Sequence, residues 1–511
     1  MKFHACLLLL FVIFFSACSS SDRETRHLFY RFYADRDYLK ARDHILSNDY
    51  YKSDRQQLLQ SMEIGKIFFD LQDYKSAARA FENAKSILYR QYTTRLSYKL
   101  ESFVTNHASD IYYGHYYEHS MLFYYLTLTY FLQSEKLGLK DELLKAKATS
   151  GAWYDYQQHY LITHQKRPWF KFDVLHSLLT LLINEKIGTN DLKLQSIYLL
   201  TDAQNNFFKY YSILPIFNHK AQTFAAHFQS FNDDMIQEIK EKYFKPSDYF
   251  DKINQKITKV SRNLQTLKQI DQNLNDKSVS FFFDVGNIEK ISSKTLKMEL
   301  AGLSNDPAMM LYLSNVLGFL PERASPGEVY RGVIGTQLAT KMLTFGHDVP
   351  HIPKNPKVKS FAIQFFKDGQ LVLDDSITLM NPMNHILEYT LEVNNQQNLP
   401  IIYSRLLTKH LAAITTSYAT YNLLAKNSKD KTFARLSATL QYAALSRAIL
   451  ESEKADERMW ATLPANIYFY NTRLTAGSYQ MKLLDVLDQQ VVLEKSIQIG
   501  TEDYFDFVKV K

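Results

Sequence analysis

The spacing of apolar residues changes near Lys277 of this 511-residue chain, and that change limits the fold more than any single motif does. From His27 to about Ile270 apolar side chains recur every three and four positions, the period that lays one face of a helix against a core. After Lys277 the period drops to two, in short runs bounded by turn residues, which is the pattern of strands. The expected class is therefore α+β, with a helical domain at 27–276 followed by a strand-rich domain at 277–511. Helix breakers are scarce, at 15 Gly and 12 Pro, so long helices are expected in the first part.

The amino end reads differently. Lys2 precedes an unbroken apolar run from Ala5 to Phe15, and small residues Ser16 and Ala17 lead to Cys18. That order is the layout of an export signal over residues 1–17, because the run falls short of the ~20 residues a membrane span needs. The stretch Phe15-Ser16-Ala17-Cys18 resembles a bacterial lipobox. The resemblance implies cleavage before Cys18, a diacylglyceryl thioether on its sulfur and an acyl chain such as palmitate on its amine. Ser19 in place of Asp after the cysteine implies sorting to the outer membrane, with the body in the periplasm. Residues 18–26, beginning Ser19-Ser20-Ser21, are expected to form a polar tether. The only cysteines are Cys6 and Cys18, so a mature chain lipidated at Cys18 has no disulfide available.

Within the helical domain the clearest unit is Leu58 to Leu88. Ile64, Gly65, Phe68, Tyr74, Ala77, Phe81 and Ala84 stand there at the spacings of a tetratricopeptide-like hairpin. Gly65 and Ala77 are small where two antiparallel helices approach, Phe68 and Phe81 fill the groove, and Asp73-Tyr74 supplies the turn. One hairpin cannot bury its own face, so neighbours are expected around Arg31 to Leu46 and Met121 to Lys147. A ring-dense stretch from Tyr112 to Phe131, with Tyr113 and Tyr117 among its members, suits either a packed core or a groove that grips a glycan or peptide.

The second domain is expected to be a small β-sandwich interrupted by an antiparallel helix pair at about 399–454. Its strand candidates are Val279 to Val285, Val358 to Phe366, Leu371 to Leu379, His385 to Val393, Ala465 to Tyr470, Gly477 to Asp485, Gln490 to Ile499 and Tyr504 to Val510. Asp368-Gly369 marks a hairpin turn, and Pro400-Ile401-Ile402 the opening of the first helix. Gly302 to Pro356, with six prolines, reads as an irregular excursion.

Several stretches together resemble a family of bacterial lipoproteins of uncharacterised function with a tetratricopeptide-like front half. They are Asp73-Tyr74 with Ala77 and Phe81, Tyr113-Gly114-His115-Tyr116-Tyr117-Glu118, Pro400-Ile401-Ile402, and the run from Ala455 to Ala465 that holds Arg458, Trp460 and Leu463-Pro464. The resemblance implies an envelope location and carries no activity. In its last stretch Trp460 is expected to cap the junction of helices and sandwich, with Arg458 bridging a carboxylate.

Catalytic patterns are few. His115-Tyr116-Tyr117-Glu118-His119 fits the inverted zinc-protease order, while Glu118 in the first turn of a helix also suits the dipole there. No nucleophile elbow, phosphate loop or dinucleotide fingerprint occurs, and no cofactor is implied. The net charge of +7, or +6 without Lys2, is spread among acids and gives no support to nucleic-acid binding. The expected function is that of a non-enzymatic scaffold held to a membrane by its lipid anchor and engaging envelope proteins. A second reading is a module for wall glycan or peptide, with peptidoglycan as partner, and a third is a zinc-dependent hydrolase.

Overall fold

A computed structural model describes residues 18–101, 111–163, 174–188, 276–299, 344–352, 359–427, 431–452 and 455–510. The signal segment 1–17 lies outside them. Among the described residues eight α-helices come first: α1 (Cys18–Ala34), α2 (Tyr38–Ser47), α3 (Asp49–Lys52), α4 (Gln57–Asp70), α5 (Tyr74–Glu101), α6 (Tyr116–Leu137), α7 (Lys140–Thr163) and α8 (Val174–Ile187). Neighbours in sequence pack together, α1 on α2, α4 on α5 and α6 on α7.

Two of these hairpins turn in the same way. At the end of α1, Arg36 takes a left-handed conformation and the Asp37 N–H donates to the Phe32 carbonyl at 2.9 Å. At the end of α4, Gln72 does the same and the Asp73 N–H donates to the Phe68 carbonyl at 2.9 Å. These bonds satisfy carbonyls that a helix end leaves open. Each aspartate then caps the next helix, Asp37 accepting from the Lys40 N–H at 3.2 Å and Asp73 from the Ser76 N–H at 3.1 Å. Phe32, Asp37, Tyr38 and Ala41 thus correspond to Phe68, Asp73, Tyr74 and Ala77 at a constant offset of 36, the difference of each pair of numbers.

The strands build two sheets and a ribbon. They are β1 (Asp276–Val285), β2 (Ser292–Glu299), β3 (Thr344–His351), β4 (Phe361–Lys367), β5 (Gln370–Ser376) and β6 (Thr378–Asn381); after helices α9 (Met383–Asn427) and α10 (Lys431–Ser452) come β7 (Asn466–Thr475), β8 (Gly477–Asp485), β9 (Val491–Ile499) and β10 (Tyr504–Val510). An inner sheet runs β10-β1-β7-β6 and an outer sheet β5-β4-β8-β9, while β2 and β3 pair alone. Among the described strands only β1 and β10 pair in parallel.

Strand β1 shows how the layers stack. Val279, Phe281, Phe283 and Val285 point into a core shared with Phe361, Ile363 and Phe365 of β4 and Met481 and Leu483 of β8. Phe282, on the opposite face, joins the helical core beside Tyr124 and Phe469. A strand covered on both faces needs apolar residues on both, which is why three phenylalanines stand in succession. The order of layers is helices, inner sheet, outer sheet, and one core runs from Phe29 of α1 to Phe469 of β7. The chain is mixed helix and sheet, as the change of period requires.

Four local expectations give way. Residues 18–26 belong to helix α1 rather than a tether, held by Arg23 and Arg26, which meet Glu457 at 3.3 and 3.5 Å. Leu371 to Leu379 is two strands, because the chain leaves the outer sheet after Ser376 and enters the inner one at Thr378. His385 to Val393 is helix: Met383, Ile386, Leu387 and Leu391 are buried at helical spacing, so α9 begins well before Pro400 and the helical insertion covers 383–452. Within the excursion at Gly302 to Pro356, β3 is regular and pairs with β2.

Gly65 of α4 lies against Phe81 of α5. A Cβ on Gly65 would come within 2.5 Å of Phe81 Cδ1, and that ring is fully buried. Overpacking at about 1–3 kcal/mol outweighs the ~1 kcal/mol that alanine gains over glycine in a helix. Gly65→Ala should therefore lower the urea midpoint, and adding Phe81→Leu should return part of the loss; an unchanged midpoint in Gly65→Ala would show that the contact is loose.

Candidate functional site

Polar groups inside the molecule gather along the seam between the helices and the inner sheet. One group surrounds residues 455–464, an irregular segment between α10 and β7. Glu118 sits in the first turn of α6, where its Oε2 accepts from the Tyr112 hydroxyl and the His115 N–H, each at 2.6 Å. Its Oε1 accepts from the Trp460 N–H at 2.6 Å, with the Tyr117 hydroxyl at 3.4 Å. Glu63 of α4 takes the next two donors, the Ala461 N–H at 2.7 Å and the Thr462 N–H at 3.2 Å. Two helical carboxyl groups thereby satisfy three consecutive amides of a segment that has no strand or helix partner.

Side chains of the segment complete the seam. Trp460 is fully buried against Phe81 and Tyr125, and its Nε1 donates to Thr462 Oγ1 at 2.8 Å. Arg458 holds Asp456 with Nε at 2.8 Å and Nη2 at 2.7 Å, and its guanidinium lies 5.4 Å from the centre of the Tyr112 ring. Burial pushes the Asp456 carboxyl up, but Arg458 outweighs it and leaves the group below the usual carboxylate range. The carboxylate that Arg458 bridges is thus its own neighbour in sequence.

A second group is ionic. Lys66 and Asp70 of α4, one helical turn apart and both fully buried, form an ion pair. Lys66 also meets Asp284 of β1 at 3.3 Å, and Lys509 of β10 meets Asp70 at 2.6 Å. Tyr125 donates to Asp284 at 2.6 Å. The Tyr33 hydroxyl accepts from Lys509 at 2.6 Å, and its own proton faces Asp70 at 2.5 Å and the Thr462 carbonyl at 2.9 Å. The ammonium groups also lie over rings, Lys66 at 4.9 Å from the Tyr125 centre and Lys509 at 4.3 Å from that of Tyr33. Burial drives the Lys509 amine down to about 8 against the pull of Asp70, so it still carries its proton at neutral pH. Burial alone would raise Asp70, but Lys66 and Lys509 hold it below the ordinary aspartate value.

The His-x-x-Glu-His stretch is committed to this framework. His115 precedes α6 in an extended conformation, its ring stacked 5.5 Å from that of Tyr117. His119 uses both ring nitrogens, Nε2 at 2.7 Å from the Tyr113 carbonyl and Nδ1 at 2.8 Å from the Tyr156 hydroxyl. Among the described residues no three His, Cys, Asp or Glu side chains are arranged to hold a metal ion. The rings of Tyr112, Tyr116, Tyr117, Tyr124 and Tyr125 belong to the helical core, and Tyr113 is half-buried. Phe68 packs at the edge of that core, with Ala77, Phe81 and Ala84 inside it. Cys18 begins α1. No helix among the described residues is long and apolar enough to cross a membrane.

The sequence singled out Glu118, Arg458 and Trp460, which the fold brings together, but not Glu63, Lys66, Asp70, Asp284 or Lys509. Their signal was present as charges at apolar positions: Lys66 and Asp70 in a helix buried on nearly every side, and Asp284 after three phenylalanines. Set against models of known families, curated proteins and solved structures, the chain matches none.

Two measurements test the seam. Burial pushes Glu63 up to about 8, against the pull of Thr462 and the two N–H donors. Between the ordinary glutamate value and 8 the folded chain holds a proton that the unfolded chain has released, so this group lowers stability as pH rises through that window. From about pH 5 to about pH 8 the wild type should lose on the order of 3 kcal/mol more than Glu63→Gln does, and parallel profiles would refute the shift. Lys66→Met alone strands two buried aspartates on one lysine and should cost about 3–5 kcal/mol. Adding Asp284→Asn leaves the Asp70–Lys509 pair balanced, so the double variant should be more stable than the single; additive losses would mean that the charges do not act as a unit.

Proposed function

We propose that this chain is an exported bacterial lipoprotein, anchored through Cys18 to the outer membrane with its body in the periplasm, and that it acts as a non-enzymatic scaffold for envelope proteins. The observation that carries the reading is the residue order at the amino end: Lys2, the apolar run Ala5 to Phe15, then Ser16-Ala17-Cys18. Several acyl chains at one site make an anchor durable, since each buried methylene contributes ~0.8 kcal/mol. A helix that begins at Cys18 and is held by Glu457 joins such an anchor directly to the body.

The scaffold part of the reading rests on the repeated hairpin turn. A unit recurring after 36 residues, with alanine at one buried position, Ala41 and Ala77, and an aspartate-tyrosine turn, is similar to a tetratricopeptide-like repeat, an architecture that serves as a binding surface. The polar side chains most suited to chemistry, Glu63, Glu118, His119 and Arg458, are spent on internal bonds, which favours a structural role for them. Membership of the lipoprotein family suggested by Ala455 to Ala465 is part of the same proposal.

Metabolic labelling with palmitate should mark the wild type and spare Cys18→Ala, which should leave the membrane fraction. Equal labelling of both, or a mature chain that keeps residues 1–17, would sink the anchor. Proteins crosslinked to the chain in intact cells should remain after muramidase digestion of the wall; material lost on digestion would point to glycan binding instead.

A further inference from the structure

We propose that the far end of the α9–α10 hairpin is a contact surface for anionic phospholipid. The base of α9 is fixed: Met383, Ile386, Leu387 and Leu391 lie in the helical core, and Asn395 donates to the Pro350 carbonyl of β3 at 2.9 Å. A helix of 45 residues extends ~65 Å, far beyond that base. Farther out the two helices pack on each other, and the side chains they bury there, such as Leu406, Ala413 and Ala434, belong to neither of the two cores.

The outer part carries large apolar side chains in the open. Leu423 near the end of α9 is 68% exposed, and Phe433 and Leu440 of α10 are 54% and 62% exposed. Phe433 and Leu440 stand seven residues apart and so share one face of α10. Lys426, three residues after Leu423, is exposed, and Lys431 and Arg435 lie two residues before and after Phe433 in the sequence of α10. Hydroxyls along the arm are bonded to its own backbone, Thr416, Ser417 and Thr420 each donating to the carbonyl one turn earlier, which lowers the cost of bringing this arm to an apolar boundary.

Apolar side chains beside an excess of lysine and arginine are the composition of an interfacial element: the rings and branched chains enter the acyl boundary while the cations meet acidic headgroups. The tip does not span the bilayer; it rests on one. This contact is independent of the lipid at Cys18, so it can be tested without it.

No described residue before Phe29 contributes to either core, so a chain beginning at Ser19 keeps both and lacks the apolar segment that would bind lipid by itself. Such a chain should float with vesicles of phosphatidylcholine containing phosphatidylglycerol and not with phosphatidylcholine alone. Binding should weaken about five-fold for each of Lys426→Gln and Lys431→Gln, and about ten-fold for Leu423→Ser with Phe433→Ser, at unchanged circular dichroism. Absence from the acidic vesicles, or flotation insensitive to these substitutions, would overturn the proposal. A tip that ignores both vesicles yet shows the same losses in capturing a protein would assign the surface to a protein partner and equally overturn it.

Discussion

Lys66, Asp70 and Asp284, removed from water, and the half-buried Lys509 hold the helical layer against the inner sheet, and the other contacts across that seam are arranged around them. Charges so placed cost several kcal/mol each to desolvate, and close counter-ions with additional hydrogen bonds offset that cost. Here the partners come from five separated elements: α4 supplies Lys66 and Asp70, β1 Asp284, β10 Lys509, α1 the hydroxyl of Tyr33 and α6 that of Tyr125. Sliding the helices over the sheet by a few ångströms would strand a charge. An apolar seam would tolerate such a slip, so the ionic one fixes a single register between layers.

The parallel pairing of β1 with β10 follows the same logic. Its register sets Asp284 opposite Lys509, on the face that meets the helices, while Phe283 and Val508 turn toward the outer sheet. Alternation along a strand lets one pair of strands serve two cores of different character. The segment 455–464 closes the seam from the other end, its amides taken by Glu63 and Glu118 and its Glu457 holding α1. Every layer is therefore tied to residues that arrive late in the chain.

Much of the architecture was legible in the sequence because periodicity reports burial. The hairpin at Leu58 to Leu88, the strands β1, β8, β9 and β10 and the helix pair could all be placed from spacing and turn residues. The failures share one cause, a partner distant in sequence. Residues 18–26 carry no apolar period and become helical against Glu457, and the run through Leu379 looks like one strand until Ile377 crosses between sheets. Pro400 resembles a helix start, yet burial of Met383 and Ile386 begins the helix earlier.

Taken alone, the sequence determined the class of fold, the turn chemistry of its hairpins and the small residue at Gly65, since each is written within a few neighbouring residues. Tertiary structure decided which charges are buried, which strand faces serve which core and why Glu118 accepts from Trp460 across more than three hundred residues. A lysine in an apolar helix reads as a solvated side chain or as a buried ion, and only the arrival of its counter-ions from another part of the chain distinguishes the two.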